Sequence, residues 1–305
     1  RLLHALGFTA DASNAVVCTL HGLLAALPLL LVSLLVVHGW EALFAKVRGR
    51  SRVPGALLVA VLFTLALPTT MPLWQAAMGL SFGVVLGKEV FGGTGRNIVH
   101  PAVAAMTFLA LAWPESLRGD AVWIPVEGAT GLTLFDQAAT SGVVALETTG
   151  TGWWDALLGS GPGPLGAFSP LACLLGALFL VATALISWRT VLAVFVGAIA
   201  AALLFQVLDL ADGPAADIPA NWHLVLGSLA FGAVFLATDP VTSPVTNAGR
   251  WIHGLLLGGV VVMIRVGNPA HPEGTYSALL LAGIFAPLND SVVVWAHTRR
   301  RRARG

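Results

Sequence analysis

From Tyr276 to Ala296 the chain runs through 21 residues with a single charge, Asp290, and then carries Arg299, Arg300, Arg301, Arg302 and Arg304 at its C-terminus. A helix needs roughly 20 apolar residues to cross the ~30 Å hydrocarbon core of a bilayer, and a basic cluster beside such a run marks the cytoplasmic side. The chain therefore reads as an integral membrane protein with its C-terminus inside. Composition agrees. At 57% hydrophobic and 10% charged residues, with a mean hydropathy of +0.85, it departs far from soluble domains, where about a quarter of residues are charged. No water-soluble core could absorb that much apolar surface.

Candidate spans fall near 16–40, 54–68, 72–88, 101–114, 171–187, 190–208, 222–238, 251–267 and 276–297. Several are short for a bilayer. An odd number puts the termini on opposite sides, and an inward C-terminus then sorts the charges. Lys46, Arg48, Arg50, Arg52, Lys88, Arg96, Arg189, Arg250 and the five terminal arginines lie inside, 13 of the 16 basic residues. Arg1, Arg118 and Arg265 fall outside or near the outer face. Asp120, Glu127, Asp136, Glu147, Asp155, Asp209, Asp212, Asp217 and Glu273 lie on the outer side, as the positive-inside rule allows. The expected fold is all-α, about nine transmembrane helices in two pseudo-repeated halves with short or broken helices. It forms one membrane domain over 1–305: a first half at about 16–114, an outer connection at 115–170, a second half at 171–297 and a basic tail at 298–305. No nucleic-acid partner is expected.

The halves carry a weak repeat. Trp74, Gly79 and Phe82-Gly83 lead into Gly87-Lys88-Glu89 and Thr94-Gly95-Arg96-Asn97. Trp222, Gly227 and Phe231-Gly232 lead into Thr238-Asp239 and Asn247-Ala248-Gly249-Arg250. A short apolar helix ending at an acid and a Gly/Thr/Asn loop is how transporter-like folds place polar backbone at membrane depth. The 115–170 connection is too long to lack structure of its own, and a short amphipathic helix is expected around Asp155.

Gly92-Gly93-Thr94-Gly95-Arg96-Asn97 looks like a nucleotide loop, but it lacks the Lys-Ser/Thr of the P-loop and the third glycine of the dinucleotide fingerprint. It offers backbone donors, with Asn97 and His100, to a heteroaromatic ring, or serves only as a helix connection. Glu41, Glu89, Asp239 and Asp290 stand in or beside spans, where an acid costs about 2.5–3.5 kcal/mol unless paired or hydrated. Glu89 beside Lys88, and Asp239 at a helix end, fit ion pairs or caps as well as function. Asp290, flanked by Asn289 and Ser291 and preceded by Pro287, interrupts its span with no basic residue near in sequence, which favours ion handling. Cys18 and Cys173 have no metal-site spacing and read as small buried side chains.

Five segments together resemble the NqrB/RnfD family of membrane subunits: Gly87 to Asn97, Ala237 to Thr242, Thr246 to Trp251, Arg265 to Gly274 and Phe285 to Asp290. The likeness runs from about Trp40 to the C-terminus, and the form of the first segment favours the NqrB branch. The resemblance implies ten helices, so nine spans fit if the family's first helix is absent here. It also implies a covalent FMN, a riboflavin, a quinone as substrate, Na⁺ as the transported ion, a flavin transferase for maturation and the other subunits of an Nqr-type complex in a bacterial inner membrane. Electrons would pass from FMN through riboflavin to quinone. Carried over residue by residue, Glu127 to Thr133 overlies the family's flavin motif and makes Thr133 the FMN phosphoester site on the outer side, with Glu127 and Leu132 departing from the family pattern. Asn97 matches a riboflavin contact, while His100 stands where the family has asparagine; Gly92, Gly93 and Thr94 border that site. Val37 and His38 replace a glycine pair linked to quinone. Glu41 and Asp290 match acids linked to sodium uptake. The alternatives are an RnfD-type subunit of a ferredoxin:NAD⁺ oxidoreductase and a flavin-free channel or transporter.

Overall fold

The computed structural model describes residues 15–49, 55–118, 132–148, 150–211, 213–268 and 273–302, and these are helical with no strands. The first half contains α1 (Ala15–Arg48), α2 (Ala56–Ala66), α3 (Leu73–Val84) and α4 (Pro101–Ala112). Three short helices follow, α5 (Leu134–Ser141), α6 (Val143–Thr148) and α7 (Trp153–Leu158), the last where a helix is expected around Asp155. The second half contains α8 (Pro170–Ala182), α9 (Trp188–Leu208), the fragments α10 (Trp222–Val225) and α11 (Leu229–Phe231), and the long α12 (Asn247–Gly267) and α13 (Thr275–Arg302).

Four stretches, Gly22–Arg48, Trp188–Leu208, Asn247–Gly267 and Thr275–Arg302, are long and apolar enough to cross a membrane. The apolar helices α2, α4 and α8 have 11, 12 and 13 residues, about 16–20 Å at 1.5 Å per residue. None reaches across ~30 Å alone. Helix length thus supports four crossings outright, and the remaining expected spans are short or interrupted helices.

Both members of the sequence repeat end in a π turn. Val85–Glu89 prolongs α3 and is closed by the Val90 N–H on the Val85 carbonyl at 2.9 Å; Gly232–Leu236 prolongs α11 and is closed by the Ala237 N–H on the Gly232 carbonyl at 2.8 Å. Such insertions gather at functional positions.

Glycines set the helix spacing. Gly79, Gly83 and Gly87 recur every fourth residue on one stripe of α3 and its extension, against Leu109, Ala105 and Ala104 of α4. Gly254 and Gly258 of α12 do the same against Thr190, Ala193 and Val194 of α9, and Gly197 of α9 faces the Leu255 backbone. These contacts advance together along both chains, so α9 and α12 run parallel, and Trp188 meets Trp251 at their N-terminal ends with ring centroids 6.2 Å apart. Small residues that let backbones touch are the usual membrane substitute for hydrophobic driving force. Outside this bundle, Phe135, Ala138, Val143, Leu146 and Ala156 from α5–α7 close a second small core on Ile218, Trp222, Val225 and Leu226.

Two expectations are corrected. The span at 222–238 is broken at Leu226–Ser228, around Gly227 in the left-handed region at φ 70. The span carrying Asp290 is not interrupted: α13 continues through Pro287 and Asp290 to Arg302. The Ser291 hydroxyl donates to the Pro287 carbonyl at 2.9 Å, and the Asp290 side chain leaves its own helix for a neighbouring one.

A Cβ on Gly258 would lie 2.0 Å from the Val194 carbonyl oxygen, whereas one on Gly259 would meet nothing within 4 Å. Gly258→Ala is expected to destabilise the purified protein by about 1–3 kcal/mol. Gly259→Ala should be neutral or up to ~1 kcal/mol stabilising, both read from thermal unfolding in one detergent.

Candidate functional site

Polar groups gather at the two ends of the bundle. At one end a cleft is lined by Met106 and Ala110 of α4, by Thr133, Phe135 and Asp136, by the Gly161-Pro162-Gly163-Pro164 turn, and by Gly227, Ser228, Glu273 and Tyr276. The cleft opens to solvent, and its walls are mainly apolar. Thr133 is the N-cap of α5: its hydroxyl accepts from the Asp136 N–H at 3.1 Å and donates to Asp136 Oδ2 at 2.8 Å. A cap residue keeps extended backbone geometry, which leaves its side chain at the helix mouth. Residues 127–131, the start of the flavin-like motif, lie outside the described residues.

Arg265, in the last turn of α12, organises this end. Its side chain is fully buried. Nη1 donates to the His223 carbonyl at 2.9 Å and Nη2 to the Leu226 carbonyl at 2.8 Å, and the guanidinium lies 4.6 Å over the Phe135 ring, close along the chain to Thr133. The Glu273 carboxylate accepts from the Ser228 N–H at 2.5 Å and from the Thr275 hydroxyl at 3.2 Å. A Cβ at Gly227 would lie 2.5 Å from Glu273 and 2.8 Å from Arg265, so glycine is required both for φ and for space. Ser228 and Tyr276 are buried, and their hydroxyls, which neighbour each other, make no hydrogen bond of normal geometry among the described residues.

The α4 helix separates this cleft from the other end by about 18 Å. There Lys88, in the first π turn, forms an ion pair with Glu41 of α1, both buried. Arg48 pairs with Glu89 at 3.5 Å and donates to the Glu89 carbonyl at 2.5 Å. Glu89 thus pairs across helices rather than with adjacent Lys88. Asp239 is a turn cap, accepting from the Thr242 N–H at 3.2 Å and hydroxyl at 2.9 Å. Asp290 accepts from the Val245 N–H at 2.8 Å, the Thr246 N–H at 3.0 Å and the Thr246 hydroxyl at 2.5 Å. Thr246 in turn caps α12, so Asp290 sits at the positive end of a helix dipole. Its partners lie 44 and 45 residues away in sequence, which is why none shows beside it in the chain.

The glycine loop is not an open nest of amide donors. The Gly92, Gly93 and Arg96 N–H groups donate to the Glu89, Lys88 and Gly93 carbonyls at 3.0–3.1 Å. Asn97 and His100 are both buried next to it. Asn97 Nδ2 donates to the Val99 carbonyl at 3.4 Å, and His100 Nδ1 accepts from the Ala102 N–H at 3.3 Å as the cap of α4. That bond leaves Nε2 as the His100 donor. Val37 is fully buried in the main core while His38 is exposed, so the two quinone candidates point to different surroundings.

Sequence reasoning does not select buried Arg265 with Glu273, Ser228 and Tyr276 as site residues. The available signal is an arginine within an apolar run, as informative there as an acid.

Apolar helices of membrane length, with paired π turns and polar groups at both ends of the bundle, define a helical membrane protein. The chain belongs to the NQR2, RnfD, RnfE family, whose model matches residues 8–298, beginning well upstream of the Trp40 limit of the motif resemblance. It is 45% identical over 304 residues to a Klebsiella pneumoniae (strain 342) protein, the B subunit of the Na(+)-translocating NADH-quinone reductase, covering 98% of this chain and 74% of that protein. The corresponding B subunits of Chromohalobacter salexigens and of Pseudomonas aeruginosa (strain LESB58) are each 46% identical. They match 91% and 94% of this chain, and 67% and 71% of their own length.

Removing one member of a buried ion pair leaves the other charge uncompensated, at about 3–5 kcal/mol. Lys88→Met should therefore destabilise the protein by that order. Lys88→Met with Glu41→Leu should recover most of the loss; an additive double variant in thermal unfolding would mean the pair is not coupled.

Proposed function

We propose that this chain is the B subunit of a sodium-translocating NADH:quinone oxidoreductase in a bacterial inner membrane, carrying electrons between flavins at the two ends of its helical bundle. The names of its relatives support the Nqr-type assignment over an RnfD-type one. The observation that carries the flavin reading is the position of Thr133: its hydroxyl stands at a helix mouth on an open, mainly apolar cleft.

The cleft suits FMN. Thr133 Oγ1 would hold the phosphate as an ester, installed by a flavin transferase, and the apolar walls with buried hydroxyls suit an amphipathic ring. At the opposite end Asn97 and the His100 Nε2 side would hold riboflavin, with Gly92, Gly93 and Thr94 shaping the pocket wall and not donating from the Gly92 and Gly93 amides. When bound, the two flavins supply the electron-transfer chemistry, ending on a quinone; Val37 and His38 stay as candidates for that step only through family position. The protein positions the flavins, excludes water and supplies the electrostatic environment. The Thr133 end faces outward and the arginine-rich end faces the cytoplasm under the positive-inside rule. Na⁺ coupling is assigned to Asp290 and Glu41. Each carboxylate already has partners that a cation would replace, the amides of residues 245 and 246 for Asp290 and the Lys88 ammonium for Glu41.

Thr133→Ala should remove the fluorescent flavin band from a denaturing gel while the subunit stays in the membrane, since a cap substitution costs only ~1 kcal/mol. A persisting band would move the attachment to Thr130 or elsewhere and end the Thr133 assignment; a band absent from the unsubstituted protein as well would favour the flavin-free channel.

Asp290→Asn keeps size and removes charge. In the assembled complex it should raise the half-saturating Na⁺ concentration for turnover with flavin content unchanged. An unaltered sodium titration would make the carboxylate a structural cap for α12 and shift coupling to Glu41 or another subunit.

A further inference from the structure

Two buried hydroxyls in the cleft wall make no hydrogen bond of normal geometry among the described residues. Ser228 is 0% exposed and Tyr276, the only tyrosine in the chain, is 7% exposed. The hydroxyls neighbour each other, yet neither makes a hydrogen bond of normal geometry. Burying an unpartnered hydroxyl forfeits its hydration, so native proteins keep such groups only where something else satisfies them. Their placement is set by the backbone. The Ser228 N–H is held by Glu273 at 2.5 Å, the preceding Gly227 is locked between Glu273 and Arg265, and Tyr276 opens α13 one residue after Thr275, which is also tied to Glu273. Both residues line the same cleft as Thr133, whose other walls include Met106, Pro114 and Phe168.

We propose that Ser228 and Tyr276 form the hydrogen-bonding wall that receives the polar edge of the isoalloxazine ring tethered at Thr133. The proposal rests on the Thr133 assignment above. A flavin ring has apolar faces and one edge with two carbonyls flanking an N–H. Two hydroxyls match that edge, because each can donate and accept, while flat apolar walls match the faces. Anchored at the phosphate by Thr133 and at the ring edge by Ser228 and Tyr276, the cofactor would be fixed at both ends. Water is the competing occupant of the same hydroxyls, and spectroscopy of the bound flavin separates the two.

The test uses Tyr276→Phe and Ser228→Ala in the assembled, detergent-purified complex. Each variant should keep the Thr133-linked fluorescent band. Each should also shift the visible absorption of the native flavin and raise its quenching by iodide. Losing a hydrogen bond that favours one redox state should change the oxidised-to-reduced ratio at fixed potential about tenfold, about 30 mV for a two-electron couple. A band of normal intensity with absorption, quenching and potential all unchanged would overturn the proposal and give the hydroxyls to water. Absence of the band from the unsubstituted protein would instead overturn the Thr133 assignment, and this proposal with it. Ser228→Ala removes one buried oxygen and carries the same readouts should Tyr276→Phe fail to assemble.

Discussion

The end of the bundle that holds the cleft depends on one buried cation. Taking the Arg265 guanidinium out of water is expensive, and the structure offsets that cost with three kinds of partner: the carbonyls of His223 and Leu226, the nearby Glu273 carboxylate and the face of Phe135. Carbonyls inside an intact helix are already taken by its own amides. The 222–238 segment therefore has to break for Arg265 to be satisfied, and Gly227 is the residue that lets it turn. The break separates α10 from α11, and the turn it leaves puts Ser228 in the wall of the cleft. Through Phe135 the same guanidinium packs against α5, the helix whose cap is Thr133. Helix break, cleft wall and candidate attachment residue are linked through a single side chain.

The opposite end solves the problem of charge in an apolar setting by distribution. Glu41, Lys88, Glu89 and Arg48 alternate in sign between α1 and the first π turn. The π turn is what brings this about: an added residue rotates the end of α3, so that consecutive Lys88 and Glu89 reach different partners on α1. Asp290 is handled differently, by the free amides ahead of α12 and its dipole. Neither arrangement needs a dedicated counter-ion next to the acid in sequence.

Much of the outline was legible in sequence because it follows from local rules. Apolar runs placed helical segments at every expected span, and the repeat pointed to two corresponding segments, though not to the π turns that end them. What was illegible is tertiary. Asp290 looked unpartnered because its donors lie far along the chain, and its neighbours Pro287 and Ser291 looked like a break although the helix absorbs both. The glycine loop looked like a donor nest, but three of its amides close its own turns. Arg265 was counted as a topological charge near a span end, which hid its burial. The family's motifs nominate Thr133, Asn97 and His100 as candidates, whereas only the fold brings Ser228 and Tyr276 to the cleft that Thr133 borders.

The contrast between the two ends bears on coupling. A ligand or ion changes an equilibrium only by its differential affinity for two states. At the cleft end, Arg265 and Glu273 lock backbone turns whose rearrangement would strand a buried guanidinium, so that end is built to be rigid. At the other end the contacts are exchangeable: Lys88 is itself a cation already seated on Glu41, and a sodium ion binding that carboxylate must displace it. Lys88 belongs to the π turn that leads directly into the Gly92–Asn97 loop, and the Gly93 amide is bonded to the Lys88 carbonyl at 3.0 Å. The loop is therefore tied to the backbone of the residue whose side chain neutralises Glu41. Under the proposed function, a charge change on a flavin held beside Asn97 and His100 would act on Lys88 through a poorly screened interior, a route by which a redox event would bias cation occupancy at Glu41.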